Sequence, residues 1–98
     1  MKVMFHLDIL VAGRPYKAIN VLTEQLSFCP VPRMPITIED LPLETTVARV
    51  AFRIRRREPF LVVTLSEMMV ATTAEADRVA TTFINAGWQP AKISVNGV

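Results

Sequence analysis

Only three glycines occur in the 98 residues, at positions 13, 87 and 97. They are scattered among places that read as turns, a helix end and a tail. A phosphate-cradling loop or a dinucleotide fingerprint needs clustered glycines, whose missing Cβ atoms let the backbone approach a phosphate. The chain has no such cluster, so no nucleotide and no other cofactor is expected. Cys29 is the one cysteine and His6 the one histidine. An intrachain disulfide is ruled out, which agrees with a reducing compartment. Within "FCPVP" nothing adjacent would activate Cys29 as a nucleophile, and a buried structural thiol is predicted. The usual metal-ligand spacings are missing as well, and no metal site is expected. Ser27, Ser66 and Ser94 lie in no nucleophile-elbow sequence. Long hydrophobic runs are also wanting. No stretch approaches the roughly 18 to 20 apolar residues of a membrane-spanning helix. In "MKVMFHLDIL" His6 and Asp8 interrupt the place where a signal peptide would continue apolar. A cytoplasmic protein without a membrane partner is the expectation.

Apolar residues, by contrast, are plentiful, at 51% against 20% charged. A chain of 98 residues folds as one domain, 1–98, with a modest interior. That excess predicts apolar surface covered by a second copy of the chain or by another protein. The net charge of +2 hides an asymmetry, because residues 47–57 hold five of the eleven basic residues and none of the nine acids. Attraction to nucleic acid would have to come from this strip alone.

Val3, Phe5, Leu7, Ile9 and Val11 alternate with Lys2, Met4, His6, Asp8 and Leu10, the period of a strand with one buried face. Gly13 and Pro15 mark a turn, and "YKAINVLTE" returns, so residues 2–24 are predicted to form a β-hairpin. Prolines at 30, 32, 35 and 42 allow only short or edge strands between residues 25 and 43, with Leu26, Phe28, Ile36 and Ile38 as anchors. "TTVARVAFRIRRREPFLVVTLSE" predicts two strands joined tightly around Arg57, Glu58 and Pro59. "FLVVTL" lacks a polar face and is the candidate central strand. Thr72 and Glu75 have capping-box spacing, Ala76, Val79, Ala80, Phe83 and Ile84 form one stripe, and Gly87 can end the helix with Trp88 folded back on Phe83. "WQPAKISV" reads as a last strand. The predicted fold is α+β: a small antiparallel sheet of about four to six strands, able to curl into a half-barrel, with one helix packed on one face in the order β-β-(short β)-β-β-α-β. Met4, Leu10 and Leu22 would lie on the side the helix leaves uncovered.

Arg49, Arg53, Arg55 and Arg57 fall on one side of a strand, opposite Val50, Phe52 and Ile54. At about 6.6 Å for every two residues, such a row matches the pitch of phosphates along a nucleic-acid strand. The simplest reading is a solvated strand face that discourages aggregation. The alternatives are a nucleic-acid contact and an acidic protein partner, including Glu39, Asp40 or Glu44 of another copy. No ring lies on the arginine side of that strand, although a single-strand binder normally offers one. His6 and Asp8 share a strand face and would form an ordinary surface pair, or at most the acid–base core of an enzyme. The function expected is a non-catalytic protein-interaction module that self-associates. A small nucleic-acid-binding protein using Arg49, Arg53, Arg55 and Arg57 is the alternative, and an enzyme around His6 and Asp8 the second alternative.

Overall fold

The alternation of Val3, Phe5, Leu7, Ile9 and Val11 puts these side chains on one face of β1 (Lys2–Val11), the face that becomes the core. A computed structural model describes residues 2–23, 30–38, 41 and 43–92. The anchors predicted at Leu26 and Phe28, the thiol of Cys29 and the end of the last strand lie outside these residues. β1 turns through Ala12 and Gly13, both with left-handed φ (50° and 78°), into β2 (Arg14–Thr23). Pro15 belongs to β2 rather than to the turn, and faces Leu10 beside a register shift.

Among the described residues the sheet is a curled half-barrel with one helix, the α+β fold expected. The strands that complete it are β3 (Pro35–Ile38), β4 (Leu43–Arg55), β5 (Glu58–Leu65), β6 (Met68–Val70) and β7 (Gln89–Ala91). Its path is β3-β4-β5-β1-β2-β7, with β6 added to β1. The pairing is mixed rather than wholly antiparallel. β5 and then β6 run parallel along the same edge of β1, Phe5 beside Val63 and Ile9 beside Met68. "FLVVTL" is an interior strand as expected, with β4 on one side and β1 on the other. Met68–Val70 resumes its course after a break at Ser66 and Glu67. That break is tied to β4, because Ser66 N–H donates to Thr46 O over 2.8 Å and the two hydroxyls lie 2.7 Å apart.

β4 belongs to two ladders. Leu43–Thr46 pairs with β3, and the stretch from Val47 to Arg55 pairs with β5, with a register shift between Val47 and Arg49. The division swings β3 over the core face, where Met34, Ile36 and Ile38 pack against it. Leu7, Ile9, Ile19, Val47, Val63 and Leu65 are at most 1% exposed and form the centre.

The helix α1 (Thr73–Asn85) presents Ala76, Ala80 and Phe83 to this centre. Small residues at 76 and 80 let it sit close to the sheet. Thr72 caps it by accepting from Glu75 N–H over 3.2 Å. At the other end Gly87 has φ 103°, and Trp88 N–H donates to Phe83 O while Gly87 N–H donates to Ile84 O. That is the paired 6→1 and 5→2 pattern of a Schellman motif. Trp88 meets Phe83 edge to face, with centroids 5.1 Å apart. Lys17 Nζ, on the core-side face of β2, reaches Asp77 Oδ1 of α1 over 2.8 Å and pins the helix from its flank. Among the described residues, no helix is long and apolar enough to cross a membrane.

Candidate interaction surface

Opposed residues in a sheet share a face, so the register places the arginines among neighbours on other strands. Arg49 lies beside Thr64, Arg53 beside Phe60 and Arg55 beside Glu58. Phe60 in turn lies beside Lys2 of β1, and Val62 beside Met4, which faces Leu22. These residues share the face away from α1. Phe52 and Ile54 alternate with the arginines and point to the helix side. They sit beyond its reach, 57% and 69% exposed.

The loop joining β4 to β5 is two residues long, Arg56 and Arg57, with φ of 52° and 66°. The turn predicted around Arg57, Glu58 and Pro59 therefore falls earlier. Glu58 and Pro59 are strand residues of β5, and Arg57 leaves the row to sit at the tip. Left-handed φ at both central positions is the geometry whose twist matches a hairpin, and it normally selects Asn-Gly or Asp-Gly. The Ala12–Gly13 turn follows that preference at its second position, whereas the arginine turn does not. Pro59 fits because Arg55 and Glu58 close the loop as a hydrogen-bonded pair. The next pair, Ile54 and Pro59, is then one whose backbone groups point away from each other, so the missing N–H of Pro59 removes no rung between β4 and β5.

Every residue from Phe52 to Pro59 is exposed. The row divides. Arg53 and Arg55 join Arg56 and Arg57 in the exposed tip, while half-buried Arg49 lies further in, lining a cleft of about 650 Å³ with Asp8, Glu67, Thr64, Ser66 and Met69. On the same face nearer the tip, Arg55, Arg56 and Lys2 rim a groove of about 560 Å³ floored by Met4, Leu22 and Phe60.

The face opposite α1 is less open than the sequence suggested. His6, Asp8 and Leu10 are 7%, 7% and 5% exposed, against the expectation of a surface pair and an uncovered leucine. His6 Nε2 lies 3.0 Å from Asp8 Oδ1. The contact satisfies two buried polar side chains with each other, as buried polar groups require. Asp8 lines the larger cleft and His6 does not. Among the described residues, no group of three His, Cys, Asp or Glu side chains could hold a metal ion.

The helix flank carries an ion pair whose partners shift each other's titration. The hydrogen bond from Lys17 holds the Asp77 carboxyl below the usual carboxylate range, and the same bond raises the Lys17 ammonium above its ordinary value.

Lys2, Arg56 and Phe60 are members of this surface that sequence reasoning missed. Within the arginine strand no ring lies on the charged side, as its alternation predicts. The ring comes from the neighbouring strand, and the register that puts it there is not written in either segment. Compared with protein-family models, curated proteins and solved structures, the chain matches none.

Proposed function

We propose that the chain is a non-catalytic protein-interaction module of the cytoplasm whose contact surface is the β4–β5 hairpin. The observation that carries the reading is the tip itself, with Phe52 and Ile54 largely in water on one side and four arginines on and around the other. Completing the burial of the two apolar side chains would contribute about 1–2 kcal/mol each. Covering such chains is what an interface core does, and arginine is enriched around such cores. The lone cysteine is compatible with a reducing compartment. In its simplest form the contact joins two copies, Phe52 and Ile54 of one against those of the other. Light scattering at tens of micromolar, on the native chain and on a Phe52→Ser, Ile54→Ser variant, tests this form. A dimer lost in the variant supports it, and a strict monomer refutes self-association.

A second reading is favoured by Phe60 lying between Arg53 and Lys2 on one sheet face. A ring flanked by cations suits a stacked base of a single strand with its phosphates on either side. Anisotropy of a labelled single-stranded RNA at several salt concentrations tests it. Contacts from Lys2, Arg53, Arg55 and Arg56 predict a log–log slope of about −2.8, from roughly −0.7 per contact. Binding that does not respond to salt, or no binding, rules it out.

A further inference from the structure

Among the described residues, part of the outer edge of β4 is an open template. From its first residue to Thr46 that edge is occupied by β3, and the pairing carries on through Val47, which donates to Met34 O over 2.9 Å and accepts from Arg33 N–H over 2.7 Å. Beyond Val47, no described residue pairs with it. In an antiparallel ladder successive residues point their N–H and C=O groups alternately toward and away from the partner strand. The two-residue loop sets the phase. Arg55 bonds inward to Glu58, and therefore Val50, Phe52 and Ile54 turn their backbone groups outward. This open stretch carries arginine on one side and apolar side chains on the other, in strict alternation from Phe52 to Arg55.

We infer that this edge receives an extended strand from another protein, in which acidic and apolar residues alternate. The inference rests on the proposed function and names the partner's chemistry. Three physical points select that occupant. Added strands gain affinity from main-chain hydrogen bonds and specificity from alternate side chains. Acids at every second position of the incoming strand would lie across from Arg53 and Arg55, where opposite charges stabilise a cross-strand pair and like charges oppose it. The apolar residues between them would lie beside Phe52 and Ile54 and shield them from water. A second copy of the same edge fits badly. Two-fold antiparallel pairing sets odd residues against odd ones, so arginine meets arginine, the device by which edge strands avoid pairing with themselves.

The test uses the intact protein and two fluorescein-labelled peptides of equal composition and charge. One is Glu-Val-Glu-Ile-Glu-Val-Glu with blocked termini, and the other groups its four glutamates at one end. Anisotropy at physiological salt should show the alternating peptide binding about tenfold tighter than the grouped one, a ratio equal to one well-made hydrogen-bonded contact. Saturation with the alternating peptide should slow hydrogen exchange at the amides of Val50, Phe52 and Ile54 and leave Ala51 and Arg53 as they were. Phe52→Pro, which deletes an outward N–H at an edge position where proline is tolerated, should weaken binding about tenfold. Phe52→Val, which keeps that donor, should retain most of it. The exchange data keep the test decisive should the proline variant unfold. Equal binding of the two peptides would mean charge attraction without strand addition and would overturn the inference. So would protection at other amides, no binding of either peptide, or a uridine oligonucleotide binding where both peptides fail. Light scattering on the same samples separates the two claims. Peptide failure with dimerisation intact removes the edge strand and leaves the interaction module, whereas a monomer that binds the alternating peptide removes only self-association.

Discussion

Replacing Arg56 by Asn and Arg57 by Gly should make the protein more stable, although it deletes two residues of its most conspicuous feature. Both arginines hold left-handed φ, 52° and 66°. An L-residue with a Cβ pays about 1–2 kcal/mol to adopt that conformation. Asn reduces this cost and Gly removes it, so the relief summed over the turn is about 2 kcal/mol. The new glycine loosens the unfolded chain and returns roughly 0.4–1 kcal/mol of the gain. A net stabilisation of about 1 kcal/mol remains, or about 4–8 °C in melting temperature for a domain of this length. Thermal unfolding followed by circular dichroism, with urea unfolding as a second measure, reads the change directly. An unchanged or lowered melting temperature would refute the assignment of strain to this turn. If the arginines serve a partner, the same variant should bind more weakly while melting higher, because strain retained at a surface position is characteristic of sites kept for contact rather than for folding.

Trp88→Ala should destabilise by about 3–5 kcal/mol, because Trp88 is 5% exposed and both closes the helix end and meets the Phe83 ring. An effect below about 1 kcal/mol in urea unfolding would show that the contact is not part of the core. The Lys17–Asp77 pair predicts two pH limbs. The carboxyl is held low, so its contribution is present above the ordinary carboxyl value of 3.8 and is lost as pH falls through the depressed folded-state value. The ammonium is held high, so its contribution is present below 10.5 and is lost as pH rises through the raised folded-state value. Asp77→Asn should flatten both limbs in melting temperature against pH, and an unaltered profile would show the pair to be without effect.

Features written in a few adjacent residues were legible from the sequence. The period of β1 and the helix from its threonine cap to the Gly87–Trp88 closure involve partners within one to five positions, where local sterics and hydrogen bonding decide the outcome. Features that depend on register were not legible. Phe60 beside Arg53, and the parallel seat of β5 along β1, join segments that no local pattern connects. The depth of His6 and Asp8 is not readable from alternation for a related reason. Alternation assigns a residue to a face, but whether that face is covered depends on what the rest of the chain lays over it. The arginine turn falls earlier than its residues suggest, because Glu58–Pro59 looks like a turn and Arg56–Arg57 does not, while the ladder closes on a loop two residues long.

The parallel seat of β5 against β1 also orders events in time. β1 and β2 are neighbours in the chain and can zip within microseconds of their synthesis. The strand that covers the other edge of β1 begins at Glu58, roughly 35 residues after β2 ends at Thr23, or about 2–7 s of translation at the usual 5–20 residues per second. Throughout that interval the new hairpin carries an unpaired apolar edge, which is the exposure on which misassembly and chaperone capture act. The slow event in folding is then the arrival of β5, and the same pairing that gives the sheet its centre sets the period during which the nascent chain is vulnerable.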